Sequence, residues 1–455
     1  MSPPRLAGLI LAAVVLVALS ARAEAPPPEP VRWLREYLQI DTTNPPGNEH
    51  LGAELLAAIL AREGIPARLL ESPEGRTSLY ARLASPASGG RALALVHHID
   101  VVPAGEEWRV APFSGRPYRD SLWGRGAVDD KSLGIAHLAA LVACRREGTA
   151  LTRDVIYLAV ADEERGGGQG TGWLLERHPE LFAGLEAVLG EGGSNRTIGD
   201  RVVWWGIEVT QKRPLWLRIA ASGRGGHGSG FHPASPTHQL VRGLARLLER
   251  PPRLRVTDAA RHFFTALGAA EGGNTVRFAE RLDEVIREEG PARPLPPGLP
   301  VYFLDTVQVT QLDNGAQGPN VVAAQASAYV DVRLLPDTDA EAFLGEVREV
   351  LGRELEVEVL LAAPPAPASP TDHPIYRAVE RVLAVRAPVV PLFIAGTTDS
   401  RYFRERGIPA YGVQPFALNP EELRGIHADD EHLPVAAFLR GVETLRRILV
   451  SYAGE

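Results

Sequence analysis

Ala92-Leu93-Ala94-Leu95-Val96-His97-His98-Ile99-Asp100 runs through five apolar residues and then turns to two imidazoles and, past one isoleucine, a carboxylate. An unbroken apolar run of this kind suits a strand covered on both faces, as in a mostly parallel sheet. The figure recurs downstream: residues 155–160 lead into Asp162-Glu163-Glu164, and residues 187–189 into Gly190-Glu191-Gly192-Gly193. Helical spacings lie between the runs at 133–144 and 173–177. Others precede them at 31–40 (Trp33, Leu34, Tyr37, Leu38) and 51–63 (Leu51, Leu55, Leu56, Ile59, Leu60), parted by the breaker cluster Thr43-Asn44-Pro45-Pro46-Gly47. The alternation predicts an α/β fold, a mostly parallel sheet sandwiched by helices.

From about residue 206 the style changes. Residues 215–221 alternate as a strand and 238–248 read as a helix. After a polar, proline-rich stretch at 290–300 come strands at 301–309 and 322–332, a helix at 340–351 and a strand at 355–361. The order β-α-β-β-α-β is ferredoxin-like. An Ala/Pro-rich linker at 362–370 returns the chain to the first style, with helices at 375–385 and 435–449 and a strand at 410–413. The predicted organisation is a leader at 1–25, an α/β domain in two parts (31–205 and 366–455), and an inserted α+β domain at 206–365.

The 455 residues allow two or three domains. A net charge of -8 argues against a whole-surface basic footprint, so no nucleic-acid partner is expected. Cys144 is the single cysteine, which rules out an internal disulfide framework and leaves any zinc site to His and carboxylates. Arg5, the apolar run 6–19 and Ala21-Arg22-Ala23-Glu24-Ala25 read as a secretory signal peptide. The expectation is an exported protein, periplasmic or secreted, with no membrane association after cleavage.

The chemistry-bearing residues sit just past the ends of the apolar runs, where open α/β sheets bind ligands. Two more segments join them: Gly124-Arg125-Gly126-Ala127-Val128-Asp129-Asp130-Lys131, and Gly425-Ile426-His427-Ala428-Asp429-Asp430-Glu431. Together they supply the His, Asp and Glu donors that a hydrolytic zinc site uses when thiolates are absent. Charge bookkeeping favours two ions. Two Zn²⁺, three carboxylates, one bridging hydroxide and two neutral imidazoles give a near-neutral cluster, as partial burial requires. The run Gly166-Gly167-Gly168-Gln169-Gly170-Thr171-Gly172 fits neither the dinucleotide fingerprint nor a P-loop, and no nucleophile elbow is present.

In this order the motifs resemble the metallopeptidase family of aminoacylase-1, carboxypeptidase S, glutamate carboxypeptidase and succinyl-diaminopimelate desuccinylase. They are the five segments above together with Gly225-Gly226-His227-Gly228-Ser229, Asn320-Val321-Val322, Asp331-Val332-Arg333 and Gly396-Thr397-Thr398-Asp399. Trp108 and Pro112-Phe113-Ser114-Gly115 bring the local style closest to carboxypeptidase S. The resemblance implies a phosphorylase/hydrolase-like zinc peptidase domain with an inserted lid. It implies two Zn²⁺ per chain, with Co²⁺ or Mn²⁺ as substitutes. His98 and Glu191 would hold one ion, Glu164 and His427 the other, and Asp129 both. Glu163 would be the general base that activates a metal-bridging water, and Asp100 would orient the His98 imidazole. A cis peptide between Asp129 and Asp130 is implied too.

The resemblance also implies a homodimer formed through the lid, in which His227 polarises the scissile carbonyl in the partner's site. Arg333 would bind the substrate carboxylate, with Asn320 and Gly396 as further substrate contacts. The bland alternatives are a solvated Glu163–Glu164 pair, a turn residue at His227, and an Arg333 paired with Asp331 or Asp337. The expected activity is cleavage of a peptide or amide bond next to a free carboxylate, as a carboxypeptidase or dipeptidase. The alternatives are an N-acyl amino acid amidohydrolase and, in another class, an inactive binding protein of the same fold. The partner is thus a peptide or N-acyl amino acid substrate.

Overall fold

The three apolar runs become neighbouring parallel strands, Asp154–Val160, Ala92–His98 and Leu185–Gly190, within a nine-stranded sheet. This is a computed structural model, which describes residues 26–199, 201–288, 294–316 and 318–454. Every residue of the first two strands is buried, because alternate side chains feed two separate cores. Leu93, Leu95, Val155 and Tyr157 pack with the helices Lys131–Glu147 and Val435–Ala453 on one face. Ala94, Val96, Ile156 and Leu158 pack with Leu174, Phe182 and Phe403 on the other.

The full order is Ala67–Glu71, Thr77–Leu83, Asp154–Val160, Ala92–His98, Leu185–Gly190, Ala410–Val413, Arg201–Gln211 and Val389–Ile394, with Ser194–Ile198 paired to Arg201–Gln211. Thr77–Leu83 runs antiparallel to its two neighbours, so the sheet is mixed, with the parallel strands at its centre.

Close approach of helix to sheet rests on one glycine. A Cβ at Gly134, in Lys131–Glu147, would lie 2.2 Å from the His97 ring on the strand beneath. Gly134→Ala is expected to cost about 1–3 kcal/mol by overpacking, read as a lower denaturation midpoint at unchanged slope.

The insertion is a four-stranded antiparallel sheet in the order Thr306–Asp313, Gln325–Leu334, Arg213–Ser222, Glu356–Ala362. Helices Pro236–Leu248 and Ala340–Leu351 share its core. This is the ferredoxin-like arrangement read from the sequence.

Three details differ from the sequence reading. The change of style at residue 206 falls inside the strand Arg201–Gln211, whose first residues are partly exposed and whose later ones are buried. It marks that strand entering the core of the large sheet, and the chain crosses into the insertion at Lys212. The strand expected at 301–309 begins at Thr306, because Pro300–Tyr302 forms a single 3-10 turn. The strand expected at 322–332 divides into Val321–Val322, which pairs with Gly226–His227, and Gln325–Leu334.

Helices Asp258–Glu271, Gly273–Glu280 and Leu282–Glu288, which carried no reading, put Phe263, Phe264 and Leu282 against Val390, Leu392 and Phe393. They cover the edge strand Val389–Ile394 of the large sheet. Among the described residues no helix is long and apolar enough to cross a membrane. The leader at 1–25 lies outside the described residues.

Candidate metal centre

Three adjacent parallel strands end side by side, so His98, the Glu163-Glu164 turn and Glu191 meet at one edge of the sheet. His98 Nδ1 lies 2.8 Å from the main-chain oxygen of Asp100. A carbonyl can only accept, so Nδ1 donates to it and Nε2 is the ring atom turned to the carboxylates. Nε2 lies 3.0 Å from Asp129 Oδ1 and 3.9 Å from Glu191 Oε2. The other oxygen of Asp129, Oδ2, is 3.1 Å from His427 Nε2, which also lies 3.2 Å from Glu164 Oε1. One carboxylate thus faces both imidazoles, one oxygen each.

His98, Asp129 and Glu164 offer ligand atoms within 4.8 Å of one another, and so do His98, Asp130 and Glu191. The peptide between Asp129 and Asp130 is cis.

The loops that carry Asp129 and His427 are built together. Glu431, fully buried, accepts the main-chain N–H groups of Gly126 (3.0 Å), Val128 (2.7 Å) and Asp129 (3.0 Å), and pairs with the buried Arg125 at 2.7 Å. Next to it, Asp429 and Asp430 accept the N–H groups of Glu107 and Arg109.

The glycine run at 166–172 also has a structural task. A Cβ at Gly170 would lie 1.8 Å from the carbonyl oxygen of Ala161, so only glycine lets this loop fold back behind the acidic turn. Arg401 and Tyr402 then fix it by donating to Gly166 O at 2.8 and 2.7 Å, and Thr171 donates to the buried Asp399 at 2.6 Å.

Burial pushes the Glu163, Glu191 and Asp130 carboxyls well above their usual range, and Asp399 up to about 6. Burial opposes ionisation of Asp129 as well, but hydrogen bonds from His427 and His98 overcome it and hold that carboxyl low. Hydrogen bonds to Asp129 and Glu164 raise His427 to about 10.

The donor set fits divalent cations. Acid groups outnumber the imidazoles, Glu191 Oε1 is buried with no hydrogen-bond partner among the described residues, and Asp129 presents one oxygen to each half of the cluster.

The other residues predicted from the sequence are not among the grouped ligand atoms. The Asp100 side chain stands 3.8 Å from His98 Nδ1, and the close contact to the imidazole is made by its main-chain oxygen. Its carboxylate, pushed up to about 7 by burial, accepts instead from Glu163 N at 3.1 Å and Glu164 N at 3.2 Å. His227 is exposed in the lid, where its Nδ1 lies 2.8 Å from Ser229 Oγ and its main chain pairs with Val321. Asn320, also exposed, is joined to the same loop through Gly228 N. Gly396 is exposed.

Arg333 donates through Nε to both oxygens of Asp331 at 2.9 and 3.1 Å, the pairing weighed as its bland alternative. Asp331 also accepts from Trp216 Nε1, and the Trp216 ring and Leu361 lie against Gly166. The helix-free face of the lid sheet therefore meets the loop just past Glu164. The sequence reading gave no role to Glu431 or Asn44. The acidic string at 429–431 was the available signal for the first, and the breaker cluster for the second.

A model of the family described as Peptidase family M20/M25/M40 matches residues 94–451. Aminoacylase-1 of Pongo abelii is 28% identical over 435 residues, spanning 93% of this chain and 95% of its own. Among solved structures, the M20 family metallo-carboxypeptidase Sso-CP2 of Sulfolobus solfataricus superposes with a TM-score of 0.73 at 20% identity, over 93% of this chain and 99% of its own. Human carnosine dipeptidase 1 gives 0.70 at 16%, over 93% and 97%. Both structural likenesses speak for the fold. The relatives also correct one expectation. Aminoacylase-1 enzymes are cytosolic, which overturns the reading of an exported, periplasmic or secreted protein.

Proposed function

The chain belongs to peptidase family M20/M25/M40 and is a metal-dependent hydrolase of amide or peptide bonds, and from that premise we propose that it cleaves the amide whose nitrogen belongs to an amino acid with a free carboxylate. The observation that carries this reading is the meeting of His98, Asp129, Glu164, Glu191 and His427 at the ends of three parallel strands. His98 and Glu191 would hold one ion, Glu164 and His427 the second, and Asp129 both. Zn²⁺ suits these donors, with Co²⁺ or Mn²⁺ as substitutes. Bound there, the ions supply Lewis acidity toward the scissile carbonyl and the attacking water.

The chain's own residues do the rest. Glu163 takes a proton from the attacking water and delivers it to the leaving nitrogen. Asp331 engages Arg333 Nε and so leaves the outer edge of the guanidinium for the substrate carboxylate. Asn320 and Gly396 complete the substrate contacts. His227 is exposed in the lid and would act on the carbonyl in a second copy, through a homodimer joined by the lids.

A second reading concerns the acyl side of the bond. The alignment with aminoacylase-1 along most of the chain favours an N-acyl amino acid over the dipeptide or carboxypeptidase substrate read from the sequence. The test is a panel of N-acyl amino acids, dipeptides and their carboxyl-amidated analogues, run on metal-loaded and chelated protein. Hydrolysis is expected only with metal. Amidation is expected to lower kcat/KM by about 10- to 100-fold, the worth of a hydrogen-bonded charge. Equal rates after chelation, or equal rates on amidated substrates, would refute the proposal.

A further inference from the structure

Thr43-Asn44-Pro45-Pro46-Gly47 reads in the sequence only as a break between two helices, yet Asn44 is 3% exposed and lies beneath the acidic turn. Residues 42–44 ride alongside 99–101. Thr43 bridges Val101 in parallel, Asn44 N donates to Val101 O at 2.9 Å, Val101 N donates to Thr42 O at 3.1 Å, and Thr42 Oγ1 donates to Ile99 O at 2.7 Å. This fixes the Asn44 main chain.

The side-chain amide then reaches two buried carboxylates at once. Asn44 Nδ2 donates to Asp100 Oδ2 at 2.8 Å and lies 3.5 Å from Asp162 Oδ1. Its Oδ1, also buried, has no hydrogen-bond partner among the described residues, and turning the amide over would set that oxygen against both carboxylates.

Those two carboxylates shape the turn that carries the base. Asp100 accepts the main-chain N–H groups of both Glu163 and Glu164. Asp162 Oδ2 accepts from Gln169 N at 3.0 Å, and its main-chain oxygen accepts from Arg165 and Gly167. On the far side, Arg76 Nη1 donates to Asp162 Oδ1 at 3.0 Å, and the same guanidinium is clamped by the buried Glu49. A line of buried polar groups therefore runs from Glu49 through Arg76, Asp162, Asn44 and Asp100 to the backbone of Glu163 and Glu164.

We propose that Asn44 is a positioning residue for hydrolysis: its amide joins Asp100 to Asp162 and so holds the Glu163-Glu164 turn in register with the metal-binding side chains. The inference rests on the function proposed above. Asn44 touches no reacting atom, and it acts through Asp100. Without its donor the two carboxylates face each other with nothing between them, and the N–H groups they hold lose their fixed acceptors.

The experiment compares Asn44→Ala and Asn44→Asp with wild type and Glu163→Gln at saturating metal, on the best substrate of the panel. The two Asn44 variants separate a donor role from a packing role. Aspartate keeps the shape but sets a third carboxylate against two others, whereas alanine removes the donor and leaves a cavity. Expected is a fall in kcat of about 10- to 100-fold with KM within about twofold, larger in Asn44→Asp than in Asn44→Ala. The inference is overturned by an unchanged kcat, by a loss carried mainly in KM, or by the reverse order of the two variants. It is overturned also if both variants lose native circular dichroism, since Asn44 would then be holding the domain rather than the turn. If wild type shows no hydrolysis that depends on Glu163, the parent function fails. If that dependence holds while the Asn44 variants keep their kcat, this inference alone fails.

Discussion

Glu163→Gln is expected to give a folded protein that binds metal as wild type does and hydrolyses its best substrate on the order of 10³-fold more slowly, with KM little changed. Glutamine keeps the volume and the position on the turn but cannot carry the proton from water to the leaving nitrogen. Neither group of potential ligands at the cluster includes Glu163, so its replacement leaves His98, Asp129, Glu164, Glu191 and His427 in place. The main-chain N–H of residue 163 still donates to Asp100, which keeps the turn anchored. The measurements are steady-state kinetics with metal analysis on the same sample. Activity within tenfold of wild type would remove Glu163 as base. Loss of metal together with activity would make it a ligand in place of Glu164.

The parts of this site that are legible in the sequence share one physical cause. A parallel strand buried on both faces must be apolar throughout, so a run such as 92–96 announces both the strand and, at its carboxyl end, the place where a ligand can be met. The segments that carry His98, Glu163, Glu164 and Glu191 follow from that, while the role of each residue within them is what the family resemblance implies. Asp129 stands in a glycine-flanked acidic pair and His427 in an acidic loop, both visible as local composition.

What sequence pattern does not reveal is support made through main-chain groups. Glu431 and Asp100 act by accepting N–H groups, which carry no side-chain signature, and Asn44 acts on acceptors 56 and 118 positions away. The Asp331–Arg333 pair shows the opposite difficulty. Two residues apart on one strand, they face the same side by period alone, so spacing could not tell an internal ion pair from a guanidinium set aside for substrate.

Replacing Glu431 should separate the brace from the ion pair. Glu431→Ala removes the acceptor of three main-chain N–H groups and leaves the buried Arg125 guanidinium with the carbonyls of Ala428 and Pro103 but no counter-charge. Breaking a buried pair from one side typically costs about 3–5 kcal/mol, and that loss is expected here by chemical denaturation. Arg125→Met is expected to cost less, about 1–3 kcal/mol, because the carboxylate it abandons is still held by Gly126, Val128 and Asp129. A plain ion pair would give no such asymmetry. The two variants should differ at the metal centre as well. The N–H groups that Glu431 receives belong to the loop that aims Asp129, so Glu431→Ala should weaken metal affinity by about 10- to 100-fold while Arg125→Met leaves it near wild type. Denaturation curves on metal-free protein and metal titrations on the folded variants measure the two effects independently. Equal stability losses in the two variants would reduce Glu431 to a salt-bridge partner. Unchanged metal affinity in Glu431→Ala would mean that the Asp129 loop keeps its shape without the carboxylate behind it.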